Sequence, residues 1–133
     1  MNDHELGLAR ERDHDMKTIR QMITDYFDGL HYADIEKLNR IFHDDVILKA
    51  PGIRRDKTTW IKDVAERPVP DQKGDSYGYQ IRSLEVIGEQ AMAIVDCPLL
   101  GHDYVDHLGF LKENDRWTIV NKMYAERLKA GDG

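Results

Sequence analysis

The segment 104-YVDHLGFLKENDRWTIVNKMY-124 decides the fold of this chain. Its two arms are rich in aromatic, β-branched and large apolar residues, and the polar pair Asn114-Asp115 predicts a turn between them. Side chains alternate along a strand, so each arm presents one mostly apolar face. The predicted faces are Tyr104, Asp106, Leu108 and Phe110 on the first arm, and Trp117, Ile119, Asn121 and Met123 on the second. A carboxylate among apolar neighbours is costly without a partner or a function, so the hairpin also predicts a site at Asp106.

The composition predicts one soluble globular domain. The chain has 133 residues, of which 41% are hydrophobic and 33% charged. Its formal net charge of -6 argues against nucleic-acid binding, which concentrates Lys and Arg against phosphates. No apolar run approaches the roughly 20 residues that cross a bilayer, and the polar start of the chain predicts no secretory signal. The single cysteine, Cys97, excludes a disulfide framework, and a cytoplasmic location is predicted.

The start of the chain predicts a tail and then a helix. Residues 1–14 are charged and predict a flexible tail. Apolar residues at helical spacing predict a first helix over about 15–30, capped by Asp13 or Asp15. The predicted segments of the chain are therefore the tail 1–14, a single domain over 15–127 and a flexible C-terminus over 128–133.

Two more helices and a short strand are predicted before the middle of the chain. Apolar spacing predicts a second helix over about 34–42 and a third over about 57–67, the latter capped by Asp56 or Thr58. A short strand is predicted at 46–48 between them, because three large apolar residues stand there in a row before a Pro-Gly turn.

Strands follow the helices. The segment 68–75 contains two prolines and one glycine and predicts a loop. Strands are predicted over 77–87 and 91–100, and the hairpin completes a four-stranded meander. Helices followed by antiparallel strands predict an α+β fold, with three helices on one face of the sheet. Small residues within the strands allow the sheet to curl, which leaves a concave pocket.

Asp106 and Tyr26 are the leading site candidates. Asp106 is interpreted either as an acid, donor or anchor within a pocket, or as a rim carboxylate paired with Arg or Lys. Tyr26 lies on the buried stripe of the first helix. Its hydroxyl either points with Asp106 at a ligand oxygen or bonds a backbone carbonyl in the core.

A metal site is not predicted. His102 and Asp106 share a strand face, but His107 points to the opposite side, and no helix carries two histidines at ligand spacing. His107 is interpreted as a side chain on the outer face of the sheet, at a subunit interface. Cys97 lies in an apolar strand and is interpreted as inert packing.

Several stretches resemble the NTF2-like superfamily and, within it, the proteins labelled putative lumazine-binding. The stretches are 26-YFDG-29, Asp34, 41-IFHDD-45, Trp60, 104-YVDHL-108 and 117-WTIVNK-122. The resemblance spans about residues 15–125. It implies a cone like those of SnoaL-like proteins and ketosteroid isomerases, with a mainly apolar pocket and a homodimer formed through the outer face of the sheet. The superfamily includes enzymes and non-enzymes, so the fold does not choose a function.

The resemblance also compares the site residue by residue with ketosteroid isomerases, an enzyme whose oxyanion hole is a standard example of pKa tuning. Tyr26 falls where those enzymes have a tyrosine donor, and Asp106 falls where they have a protonated aspartic acid. The position of their catalytic base falls on Ala50, and alanine cannot accept a proton. Steroid isomerisation is therefore not expected.

The function predicted from the sequence is binding of a small, largely apolar or aromatic ligand in the cone, without a cofactor. The predicted ligand contacts are Tyr26, Trp60, Tyr104, Asp106 and Asn121, and the predicted walls are Phe42, Val64, Leu108 and Met123. One alternative is a lyase or isomerase, dehydratase-like or cyclase-like, that uses Asp106 and Tyr26 in acid–base chemistry. A second alternative is a dimeric protein-interaction module without a ligand.

Overall fold

A computed structural model describes residues 2–127, which form three helices and six strands. The helices are α1 (Asp3–Tyr32), α2 (Ile35–Ile41) and α3 (Lys57–Glu66). The strands are β1 (Phe42–Ala50), β2 (Ile53–Asp56), β3 (Gln80–Ile87), β4 (Gln90–Leu99), β5 (His102–Glu113) and β6 (Arg116–Glu126). The predicted fold class is confirmed, because three helices pack against one curved sheet. The predicted C-terminal segment 128–133 lies outside the described residues.

Helix α1 begins much earlier than predicted. Asn2 caps it by accepting a hydrogen bond from the Glu5 backbone N–H at 2.8 Å, so the predicted start near residue 15 was wrong. The first three turns are almost entirely exposed and show no apolar stripe, which is why periodicity did not detect them. Asp15 is not a cap: its buried carboxylate accepts hydrogen bonds from Trp117 Nε1 at 3.0 Å and Lys112 Nζ at 3.1 Å.

A tight corner joins α1 to α2. Ala33 ends α1 in the left-handed region, at a φ of 52°, and its N–H bonds the Gly29 carbonyl. Gly29 itself is required by packing, because a Cβ there would overlap the Leu38 side chain of α2. Asp34 then caps α2 by accepting a bond from the Lys37 N–H at 3.2 Å. The corner fixes α2 beside the strand that follows it.

The sheet has the order β2-β1-β6-β5-β4-β3. The meander β3 to β6 is antiparallel, as predicted. Strand β1 pairs with β6 in parallel, and the short, unpredicted β2 pairs antiparallel with β1 at the edge. Strand β1 covers nine residues rather than the three predicted, because its beginning, which includes 43–45, is polar and carries no apolar pattern. Lys57 joins α2 to β1 by donating to the backbone carbonyls of Asn39 and Phe42, both at 2.8 Å.

A β-bulge in β6 changes which side chains face the helices. Gly109 pairs with Asn121 but Phe110 pairs with Ile119, so Val120 has no partner of its own on β5. One extra residue inverts the alternation beyond it. Trp117 and Ile119 point inward as predicted, but the next inward residue is Lys122 and not Asn121. The prediction that Asn121 and Met123 share the inner face was therefore wrong.

The core lies between α1, α2, α3 and the inner face of the sheet. Its largest fully buried side chains include Trp60, Tyr26, Phe110, Ile19 and Ile23. Burial of a large apolar side chain stabilises a fold by about 1.5–3 kcal/mol, so the packing of these side chains holds the helices in place. No helix within residues 2–127 is long and apolar enough to cross a membrane.

Candidate functional site

A cavity of about 90 Å³ lies at the end of the cone, between α1, α3 and the inner faces of β4 to β6. Four of the predicted site residues line it: Tyr26, Trp60, Tyr104 and Asp106. It is lined as well by side chains that the sequence analysis did not select, notably Arg55, Arg67, Lys122 and Tyr124. The cavity therefore combines aromatic walls with several charged groups.

A larger groove of about 430 Å³ lies near the turn between β5 and β6. Its buried carboxylate, Asp15, is already bonded by Trp117 and Lys112, which also line the groove. A buried group with satisfied hydrogen bonds has no need of a ligand. The smaller cavity is the better candidate, because buried polar groups within it lack such partners.

Asp106 and Tyr26 bond each other inside the cavity wall. The Tyr26 hydroxyl, on α1, donates to Asp106 Oδ2, on β5, at 2.6 Å, and both side chains are buried. Burial, and then the Asp106 carboxylate, raise the pKa of Tyr26 well above its usual value, so the phenol stays protonated. The two predicted ligand donors thus form a pair, and the only proton of Tyr26 is directed at Asp106.

Cys97 lies beside this pair as a packing residue. Its side chain is buried, and burial followed by the Asp106 carboxylate raises the pKa of the thiol. A thiol that remains protonated is a poor nucleophile. Cys97 therefore contributes a wall of the cavity.

Lys122 is buried among three aromatic rings. Its Nζ lies 4.5 Å from the centroid of the Trp60 ring, 5.3 Å from that of Tyr26 and 5.7 Å from that of Tyr124. The side chain is only 6% exposed, and it makes no hydrogen bond or ion pair with any residue in 2–127. Burial lowers the pKa of this ammonium, although the nearby Asp106 partly opposes the shift. The rings attract the cation but accept none of its N–H groups as a carboxylate would.

Two arginines, Arg55 in β2 and Arg67 just after α3, complete the charged wall. Arg55 is held by Asp63 at 2.8 Å and by the Tyr124 hydroxyl at 3.1 Å. Arg67 follows the last residue of α3, and its Nη2 atom is buried without a hydrogen-bond partner among the described residues. A guanidinium remains charged in proteins, so Arg67 adds an unpaired positive charge to the cavity.

The other predicted site residues lie elsewhere. Phe42, Val64 and Leu108 are buried in the core and do not line the cavity. Asn121 lies on the outer face of the sheet, where its amide oxygen accepts a bond from Lys49 Nζ at 2.7 Å, and Met123 is 45% exposed on the same face. Both outer positions follow from the bulge at Val120.

One feature of the sequence could have identified Lys122 as a site residue. Lys122 ends the 117-WTIVNK-122 stretch and lies between apolar and aromatic residues, as Asp106 does. A lysine in such surroundings is as unusual as a carboxylate. It was not selected because side chains that alternate without interruption along the strand would place Lys122 on the outer face. No comparable sign marked Arg55 or Arg67. Within residues 2–127 no group of three or more His, Cys, Asp or Glu side chains is arranged to hold a metal ion.

Several solved structures of NTF2-like proteins have the same fold as this chain. An NTF2-like protein of unknown function from Shewanella baltica OS155 is 18% identical with a TM-score of 0.74, over 87% of this chain and 96% of its own. One from Silicibacter pomeroyi DSS-3 is 21% identical with a TM-score of 0.70, over 87% and 98%. One from Methylobacillus flagellatus KT is 20% identical with a TM-score of 0.66, over 86% and 94%. At these identities the likeness concerns the fold, which is that of the NTF2-like proteins.

The sequence itself identifies the family. Residues 14–125 match the family described as "Putative lumazine-binding". The chain belongs to this family, and the resemblance found in its sequence is confirmed. No curated protein matches the chain.

Proposed function

We propose that this protein binds a small ligand with an aromatic or planar ring in the cavity beside Asp106. The observation that carries the proposal is a cavity in which aromatic side chains (Trp60, Tyr104 and Tyr124) meet buried polar groups. Such a balance is typical of small-molecule sites. The family description supports a small-molecule ligand.

The size of the cavity favours a single ring. Its volume of about 90 Å³ is far below the roughly 300–1,000 Å³ of sites for drug-sized ligands. Asp106 uses Oδ2 to accept the Tyr26 hydroxyl, and a carboxylate has further acceptor positions for a ligand N–H or O–H. The Tyr26–Asp106 pair therefore offers a fixed polar contact at one side of a ring.

Acid–base catalysis is a second candidate, favoured by the 2.6 Å bond between Tyr26 and Asp106. Such a short, buried contact resembles the linked acid groups of enzyme sites. Ala50 ends β1 and does not line the cavity, so a base would have to come from another residue. Asp106→Asn separates the two candidates: removing a general acid lowers turnover by about a hundredfold or more, whereas losing one hydrogen bond weakens binding by about 1–3 kcal/mol.

Calorimetric titration with two single-ring probes, benzamide and benzoate, tests the binding proposal. We expect wild-type protein to bind at least one of them with a stoichiometry of one per chain. Leu99→Trp, which fills the cavity, abolishes the binding. Leu8→Trp adds the same ring on the exposed first turns of α1 and retains the binding. Failure of both probes to bind wild-type protein, or unchanged binding by Leu99→Trp, would contradict the proposal.

We also propose that the protein is a homodimer formed through the outer face of the sheet. Met92, Gly109 and Asn121 occupy adjacent positions on β4, β5 and β6, and Ile94, His107 and Met123 form the next row. Met92 and Met123 are 51% and 45% exposed, so the two rows present apolar area to solvent. Exposed methionines on neighbouring rows of one sheet face support association with a second copy.

A further inference from the structure

The lysines that are shielded from solvent differ in their partners. Lys57 is buried and donates to two backbone carbonyls and to Asp44 Oδ1. Lys112, also largely shielded, donates to Asp15 and Glu11. Lys122 is as deeply buried as Lys57, and nothing in residues 2–127 accepts a hydrogen bond from it. Buried charged donors are otherwise bonded, so the exception calls for an acceptor that is not part of the described chain.

The second unpaired cation lines the same cavity. Arg67 Nη2 is buried without a partner, and the Lys122 ammonium lines the cavity with it. Each of these positive charges disfavours the other. Arg55 lines the cavity too, and its Nε is likewise buried without a partner among the described residues. Donors without partners on three side chains around one small cavity are better explained by a missing acceptor than by packing.

The charges around the cavity define the sign and size of that acceptor. Arg55 is compensated by Asp63 at 2.8 Å, which leaves Lys122 and Arg67 against the single carboxylate of Asp106. One positive charge is therefore uncompensated at the cavity wall. A monoanion restores neutrality, whereas a dianion such as phosphate would leave excess negative charge beside Asp106.

We propose that the ligand is a small organic carboxylate with a planar ring, whose carboxylate is bound by Lys122 and Arg67. This inference rests on the proposed binding function and specifies its chemical class. The carboxylate accepts charge-assisted hydrogen bonds from the ammonium and the guanidinium. The ring lies among the aromatic walls that Trp60, Tyr104 and Tyr124 provide. Asp106, bonded to Tyr26, lines the same cavity and offsets one of the two positive charges, and the ligand carboxylate offsets the other.

Comparison of benzoate with benzamide tests the inference, because the two probes have nearly the same shape and differ in charge. At neutral pH we expect benzoate to bind wild-type protein at least about tenfold more tightly, the effect of one or more charge-assisted hydrogen bonds. Lys122→Met removes most of this preference and retains benzamide binding. Arg67→Gln also reduces the preference, because it removes the second positive charge and leaves Lys122 in place. The control Lys62→Met removes an exposed lysine of α3 and leaves the preference unchanged.

A second readout follows Lys122 itself. In protein with isotopically labelled lysine, benzoate is expected to shift the Lys122 side-chain NMR resonances and raise its pKa, while benzamide and an equal concentration of sodium chloride do neither. Equal affinity for benzoate and benzamide would overturn the inference and leave the binding function in place. An equal response to chloride would overturn the carboxylate class. Binding of neither probe would overturn both proposals.

Discussion

We expect Lys122 to destabilise the folded chain. Burial removes its ammonium from water, and no residue in 2–127 accepts a hydrogen bond from it. Contacts with three aromatic rings offset only part of that cost. A residue that costs stability in an otherwise well-packed core is expected where function requires it.

Replacement of Lys122 by methionine is therefore expected to stabilise the protein. The apolar side chain fills similar space, and we expect the free energy of unfolding to rise by about 1–2 kcal/mol at neutral pH. The measurement is urea unfolding followed by circular dichroism. The surface control Lys62→Met is expected to change stability by less than about 0.5 kcal/mol. A less stable Lys122→Met would show that the ammonium anchors the fold.

The stabilising effect is expected to depend on pH. Burial lowers the pKa of Lys122 in the folded chain, whereas the unfolded chain has the ordinary lysine value of about 10.4. Between these two values the unfolded chain binds more protons, so raising the pH stabilises wild-type protein through this group. Lys122→Met lacks that contribution. Its advantage over wild-type protein is therefore greatest below the lowered pKa and shrinks as the pH approaches 10.4, which urea unfolding across that window measures.

The backbone conformation of Ala33 gives a second prediction about stability, independent of Lys122. Its φ of 52° lies in the left-handed region, which glycine adopts without the steric cost of a Cβ. Ala33→Gly is therefore expected to stabilise the protein by about 0.5–1 kcal/mol, measured by thermal unfolding. Ala65→Gly, the same substitution within α3, is expected to destabilise it by about 0.5 kcal/mol. Destabilisation by both variants would contradict the assigned corner.

At the level of elements, the packing of α1 on α2 depends on the missing side chain of Gly29. A Cβ there would overlap Leu38, so Gly29→Ala is expected to lower the free energy of unfolding by about 1–3 kcal/mol. Gly7 lies in the same helix, and a Cβ added there meets no atom within 4 Å. Gly7→Ala is expected to have no cost or to stabilise by up to about 1 kcal/mol, because alanine favours helices. Equal effects of the two substitutions in chemical unfolding would contradict the packing.

The elements that the sequence predicted are those whose local pattern agrees with their packing. Each of three such features has a residue pattern that is specific to its structure: the apolar stripe of α1 around Tyr26, the cap at Asp56 and the turn at Asn114-Asp115. The bulge at Val120 does not, because a β-branched residue looks the same whether or not it has a partner on the next strand. Since the bulge decides the orientation of every later residue of β6, Lys122 was missed and Asn121 was selected.

The site was less predictable than the fold for the same reason. Tyr26 and Asp106 were identified as unusual polar residues in apolar surroundings, and the structure brings them together at 2.6 Å. Arg55 and Arg67 are ordinary charged residues in the sequence, one in the short strand β2 and one just after α3. Only the tertiary arrangement of β2 and α3 directs them toward the cavity.

For the whole molecule, the proposed homodimer makes a testable prediction. Met123→Glu and Met92→Glu each place a charge on the outer face of the sheet, where the second copy would cover it. We expect each variant to sediment as a monomer under conditions in which wild-type protein sediments as a dimer. Leu8→Glu adds the same charge on the exposed start of α1 and is expected to remain dimeric. A monomeric wild-type protein would contradict the proposal.

The positions of the two tryptophans have an optical consequence. Trp60 lies against Lys122 in the cavity, whereas Trp117 donates its indole N–H to Asp15 near the turn between β5 and β6. Light emitted by an indole responds to charges placed close to it, and only Trp60 adjoins the proposed ligand. In a Trp117→Phe protein, all tryptophan fluorescence comes from Trp60. The emission maximum and intensity of Trp60 then report the binding of a charged ligand directly, without an attached dye.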